Sequence, residues 1–216
     1  QPPRVAVLLN SANELQGPVW ELERMRHRVG ENDLLELDGF DGDDGALQDA
    51  LADRDVIHVA THGDMFTHTP ELSGVELRPG RILTIGAIER FTLKPGCLVF
   101  LNACQSSRVA IRSRIEFSSI ANAFLAAGAS TVIATFWEAE DASAALLSNL
   151  FYRALPEERR GRLESLNLAI RALQEIDLDA LPQDELAPLA WFLPAVRKHP
   201  YRSPVYWGQY ALFGRW

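Results

Sequence analysis

Val56-Ile57-His58-Val59-Ala60-Thr61-His62-Gly63 is a nearly continuous apolar run that ends in an imidazole and a glycine. A second run, Leu98-Val99-Phe100-Leu101-Asn102-Ala103-Cys104-Gln105-Ser106, has the same character and ends in a thiol. Runs without polar alternation are what strands look like when helices cover both faces of their sheet. In such sheets functional groups collect at the carboxyl ends of the strands. Two parallel neighbours of this kind bring His62 and Cys104 to one edge.

The pattern repeats on either side. Residues 4–9, 34–37 and 131–136 read as further strands, and residues 206–213 as a last one. Helical periodicity fills the intervals. Residues 18–29 carry Val19, Leu22, Met25 and Val29. Residues 45–53, capped by Asp44, carry Leu47 and Leu51. A helix opening at Ser118 or Ser119 ends at Gly128. Asp141 caps another that carries Leu146, Leu147, Leu150, Phe151 and Ala154, and residues 157–176 follow with Leu163, Leu166, Ile170 and Leu173. Between the two signature runs, residues 75–77 and 81–84 form a hairpin turning at Pro79-Gly80, followed by a short helix. Residues 177–203 contain Pro182, Pro188, Pro194 and Pro200 and read as an irregular excursion. The alternation indicates an α/β, three-layer αβα sandwich with a mostly parallel central sheet, one domain spanning residues 1–216.

Composition narrows the function. With 47% hydrophobic and 23% charged residues the chain can bury a sizeable core. A formal net charge of −8 gives no reason to expect nucleic acid or an anionic membrane as a direct partner. The short cluster Arg153, Arg159, Arg160 and Arg162 is interleaved with Glu157 and Glu158 and reads as a solvated helix entry. No apolar run approaches the roughly 20 residues of a transmembrane helix. The two cysteines, Cys97 and Cys104, are about 23 Å apart if the intervening chain is extended. A disulfide needs Cα atoms within about 7 Å, so free thiols and a reducing, cytoplasmic setting are expected. No phosphate loop and no GxGxxG is present, and no cofactor is expected. His58 and His62 lie about 13 Å apart on a strand, too far to share a zinc ion. The remaining set, His62, Asp64 and His68, is set aside, and no metal is expected.

A thiol nucleophile needs a base, because the reference value of cysteine is about 8.5 and that of histidine about 6.5. It also needs backbone N–H groups aimed at the developing oxyanion. His62 and Cys104 meet the first need, and the amides of Gly63 and Cys104 the second. Small residues, Gly63 beside His62 and Ala103 beside Cys104, let a substrate backbone approach. Cys97 lies among Leu98, Val99 and Phe100 and is assigned to the core.

The two runs closely resemble the signature blocks of CHAT domains, bacterial relatives of caspases and separases. The resemblance continues through residues 72–88, 123–128 and 131–141, Phe151-Tyr152, His199-Pro200 and residues 206–214. It implies a cysteine endopeptidase whose dyad falls on His62 and Cys104, with both positions intact. Related folds build the pocket for the residue before the scissile bond from the first-strand tip, the residues before the cysteine and the loop after the fifth strand. Those map to residues 10–13, to Asn102 and to Trp137, Glu138, Glu140 and Asp141. The acids would favour Lys or Arg, whereas Trp137 would favour an apolar side chain, and both readings stand. The resemblance further implies a protein substrate and a regulatory sensor or helical-repeat domain or subunit, in bacterial signalling, defence or cell death. Two alternatives remain: a CHAT-like scaffold that docks a partner without cleaving it, and a cysteine hydrolase of small amides. The pairs Trp191-Phe192 and Tyr206-Trp207 could serve docking, but are read first as core. Self-cleavage would fall in residues 64–71 or 177–189.

Overall fold

The computed structural model describes residues 2–12, 15–30, 32–64, 72–105, 114–137, 139–155 and 161–215, with backbone alone for 64, 104, 105 and 114–119. In chain order the elements begin with β1 (Val5–Leu9), α1 (Gly17–Arg28), β2 (Leu34–Asp38), α2 (Asp44–Leu51), β3 (Val56–Ala60) and β4 (His62–Asp64). The hairpin β5 (Gly74–Arg78) and β6 (Arg81–Thr84) follows, then α3 (Ile85–Ile88), β7 (Leu98–Leu101), β8 (Cys104–Gln105) and α4 (Arg114–Ala126). The chain closes through β9 (Thr131–Thr135), α5 (Asp141–Ala154), α6 (Arg162–Gln174), α7 (Gln183–Leu186) and β10 (Tyr210–Gly214).

Six strands form the central sheet in the order β10-β9-β7-β3-β1-β2. All pairings in it are parallel except that of the edge strand β10 with β9. Strand residues divide by parity between two cores. Ala6, Leu8, Ile57, Val59, Val99 and Leu101 pack with Leu47 and Leu51 of α2 and with α3 and α4. Val5, Val7, Leu9, Val56, Leu98 and Phe100 pack on the other face with α1, α5 and α6. This is the expected αβα sandwich, and β1, β3, β7 and β9 are buried at every position because both faces are covered. Among the described residues no helix is long and apolar enough to cross a membrane.

Past the end of the central sheet, two of its strands continue into a second one. After Thr61, the chain of β3 resumes as β4, and after Ala103 that of β7 resumes as β8. These join the β5–β6 hairpin in a four-stranded sheet of order β6-β5-β4-β8. The register does not slip at the changeover: Val56 faces Leu98 in the first sheet and His62 faces Cys104 in the second, both 42 positions apart by subtraction. An Asn102 amide bond to the Val59 carbonyl, at 2.8 Å, carries the pairing across the gap.

Several boundaries differ from those read in the sequence. The cap of α2 is Asp43, whose carboxylate accepts from the Ala46 N–H at 2.8 Å; Asp44 is already in the first turn. The helix expected to open at Ser118 or Ser119 starts at Arg114, since serine within a helix costs only about 0.5 kcal/mol relative to alanine and need not mark its first residue. The last strand is shorter than 206–213, because Pro204–Tyr206 forms a 3-10 turn first. The proline-rich excursion contains α7 and a 3-10 turn at Ala187–Leu189, which bury Leu186 and Leu189. Trp191, assigned to the core, is 94% exposed, and Phe192 beside it 39%: the turn just before them buries Leu189 instead.

Candidate active site

The site is built at the carboxyl edge of β3 and β7. His62 and Cys104 are direct ladder partners on adjacent parallel strands, a spacing of roughly 4.8 Å between backbones. Register partners in a parallel pair share one face of their sheet. His62 is half-buried. Gly63, also buried, is next in the ladder and pairs with Gln105 on one side and Val75 on the other. Among the described residues, a methyl group at Gly63 would meet the Gly74 carbonyl oxygen alone, at 3.8 Å, so no close contact there requires glycine.

Two helix N-termini face this edge, and one acid joins them. Glu140, in extended conformation, caps α5 by accepting from the N–H groups of Ala142 (3.2 Å) and Ser143 (2.8 Å). Asp141, expected to be that cap, instead reaches α1. Its Oδ2 accepts from the N–H groups of Gln16 (3.1 Å) and Gly17 (3.0 Å), where free amide donors and the helix dipole favour an anion. Gly17 is the residue that allows this approach, because a Cβ there would collide with the Asp141 carboxylate. Burial pushes the Asp141 carboxyl above its usual range, while the two amides and the nearby His62 pull it back.

Behind the edge, on the α1 and α5 face, lies a buried polar network that the sequence reading missed. Glu21 of α1 is 3% exposed. Its carboxylate accepts from Asn102 Nδ2 at 2.9 and 3.1 Å and from the Ser148 hydroxyl. His58 Nε2 lies 2.9 Å from the same carboxylate, without the alignment of a hydrogen bond. The other ring nitrogen of His58 meets the Tyr152 hydroxyl at 3.0 Å, and burial holds that phenol well above its ordinary value. Tyr210 at the start of β10 donates to Asn102 Oδ1 at 2.9 Å. Asn102, two residues before Cys104, is thus held from both ends of its amide. The visible clue was an acid one helical turn before Met25, on the apolar stripe of α1.

The remaining predicted site residues are distributed as follows. Asn102 is buried and its side chain is spent on the network. Trp137 is 36% exposed, donates Nε1 to the Val205 carbonyl at 3.3 Å and packs at Gly208. Glu138 lies outside the described residues, as do Asn13, His68 and residues 65–71 of the first self-cleavage stretch. Among the described residues no His, Cys, Asp and Glu cluster has the arrangement of a metal site.

Cys97 is fully buried just before β7. Burial pushes its thiol up to about 11, against the pull of Arg162 and Lys94. Raised above its ordinary range, the neutral thiol is favoured by folding. That contribution is complete below the ordinary thiol range and is lost as pH rises towards 11. Iodoacetamide at pH 8 is therefore expected to spare Cys97 in the folded protein and to modify it after denaturation. Denaturation curves between pH 8 and 11 are expected to show a loss of stability that Cys97→Ala flattens. Rapid alkylation of native Cys97 would show that the strand start opens readily.

A comparison with curated proteins finds no match. The family model of the CHAT domain matches residues 10–215, nearly the whole chain, including both strand tips and the helices behind them. With its six-stranded, mostly parallel sheet between two helical layers, the chain belongs to the CHAT domain family, within the caspase-like cysteine peptidases.

Proposed function

We propose that this protein is a cysteine endopeptidase in which Cys104 attacks the scissile carbonyl and His62 protonates the leaving amine. Water then hydrolyses the acyl-enzyme and frees the thiol. The observation that carries this reading is the direct ladder pairing of His62 with Cys104 at the edge of the sheet. Gly63 supports it, since no close contact among the described residues calls for a glycine there and the missing side chain suits the approach of a substrate backbone. The amides of Gly63 and Cys104 are the proposed oxyanion donors.

The pocket for the residue before the scissile bond is proposed to be apolar. Both described acids of the loop after β9 are engaged, Glu140 in capping α5 and Asp141 in holding α1. Asn102 offers no spare polar atom, and Trp137 is the half-exposed aromatic of that loop. The substrate is proposed to be a protein, with cleavage controlled by a sensor or helical-repeat partner in a bacterial signalling, defence or cell-death response. That part rests on the family resemblance, and a cytoplasmic setting rests on the free, buried Cys97.

The test is hydrolysis of fluorogenic tetrapeptides bearing Leu, Lys or Asp before the scissile bond, by wild type and Cys104→Ala. Leu is expected to exceed both charged residues by about tenfold or more in kcat/KM, the range a buried apolar side chain supplies. Cys104→Ala is expected to be inactive. Preference for Lys would place a free acid in the pocket, and turnover by Cys104→Ala would remove the thiol from the mechanism.

A further inference from the structure

Away from the His62–Cys104 edge, α1, α5 and the segment entering α7 line a half-open cavity of about 590 Å³. Arg24, His27 and Arg28 of α1 and Asn149 and Arg153 of α5 line it. Measured along α1, Arg28 is roughly 16 Å from Gly17, so this is not the dyad's cleft.

The charge in the cavity is not balanced. Arg24 pairs with Glu185 at 2.6 Å and lies over the Trp20 ring, yet its Nε is buried with no hydrogen-bond partner. Arg28 donates to the Asn149 side-chain oxygen at 2.9 Å and to the Tyr152 carbonyl at 3.4 Å, both neutral groups. Among the described residues no carboxylate pairs with Arg28 or with the exposed Arg153. Among the described lining residues three guanidiniums stand against the one carboxylate of Glu185, in a chain whose net charge is −8; the Glu21 carboxylate, in the adjoining space beside Arg24 and Arg28, is taken up by Asn102, Ser148 and His58. Burial and the repulsion of Arg153 and Arg24 depress the Arg28 guanidinium, as expected where like charges gather.

The same cavity has an apolar wall, formed by Leu146, Leu181, Pro182 and Leu186. Its volume lies within the roughly 300–1,000 Å³ of small-molecule sites. Guanidinium forks match the oxygens of a phosphate in spacing and charge. Because Arg28 takes the oxygen of Asn149, that amide's Nδ2 is left as a further donor.

We infer that this cavity binds a phosphate-bearing small molecule, with the phosphate held by Arg28, Arg153 and Asn149 and an apolar body against Leu146 and Leu181. A phosphate monoester fills both halves of the site; inorganic phosphate fills one. The cavity does not include His62 or Cys104, and its occupancy is read by binding alone, independently of peptidase activity.

The test is isothermal titration of the full chain with phenyl phosphate and with inorganic phosphate, in phosphate-free buffer at constant ionic strength. Both probes are expected to bind saturably with one site, phenyl phosphate more tightly. Arg153→Gln is expected to weaken both by about tenfold or more, the value of a charge-assisted hydrogen bond. Arg28→Gln is expected to do the same, with circular dichroism confirming the fold. Since Arg153 is exposed, its variant keeps the test valid should Arg28→Gln unfold. Arg90→Gln, on the opposite helical layer, and Cys104→Ala are expected to bind as wild type does. The inference falls if neither probe binds saturably or if Arg153→Gln binds undiminished. It also falls if a poly-glutamate peptide outcompetes both probes, which would make the face a protein-docking surface.

Discussion

Glu21→Ala is expected to cost the fold about 3–5 kcal/mol, the range found when one partner of a buried charged network is removed. The carboxylate is reached by His58, Asn102 and Ser148, none of which has access to water, and alanine leaves all three facing a void. For a domain of this size that corresponds to a fall in Tm of roughly 10 °C. Glu21→Gln keeps an acceptor for Asn102 but sets an amide NH2 among donors, and is expected to fall between wild type and Glu21→Ala. The consequence should reach the dyad, because Asn102 is held by Glu21 on one side and by Tyr210 on the other and lies two residues before Cys104. At temperatures where Glu21→Ala is still folded, its kcat is expected to be reduced with KM less affected, as loss of positioning at the reacting group requires. Urea denaturation and kinetics of the same samples check both parts. Wild-type stability in Glu21→Ala would mean that water replaces the carboxylate and that the network does not hold the strand tip.

The second large effect is expected at His62. His62→Ala should lower kcat/KM by about 10²–10⁴-fold, the usual contribution of a positioned acid–base group. The side chain is half-buried at the sheet edge, outside both cores, so Tm is expected to stay near that of wild type. The pH profile separates a catalytic from a structural role. A group that protonates the leaving amine gives the rate an alkaline limb, and the variant should lose that limb while its residual rate follows ionisation of the thiol alone. A uniform drop with an unchanged profile would assign the proton transfer to another group.

How much of this could be seen in the residues depends on which forces set each feature. The central strands were legible because burial on both faces demands unbroken apolar runs, and the pairing of His62 with Cys104 because each run ended in a reactive side chain. The parallel register of β3 and β7 then had to bring His62 and Cys104 together. Their continuation into a second sheet was not legible: β4 and β8 comprise only His62–Asp64 and Cys104–Gln105, too short for any periodicity. Cap assignments failed where local chemistry offered two acids in succession. Glu140 and Asp141 both suit a helix start, and only the position of α1 gives Asp141 a distant pair of amides to hold. Asn102 was assigned to substrate on family grounds, whereas its partners Glu21 and Tyr210 are far away in sequence and bear no shared motif. Trp191 was misread for a related reason, since apolar character alone does not say whether an opposing surface exists.

The most direct test of the central claim is intact-mass analysis after treatment with a peptidyl acyloxymethyl ketone bearing Leu next to the reactive group. Wild type, His62→Ala and Cys104→Ala are to be compared, with the modified residue located by peptide mapping. The account predicts a single adduct on Cys104 in wild type, slower formation in His62→Ala and none in Cys104→Ala. An adduct on Cys97, or equal labelling rates with and without His62, would contradict it.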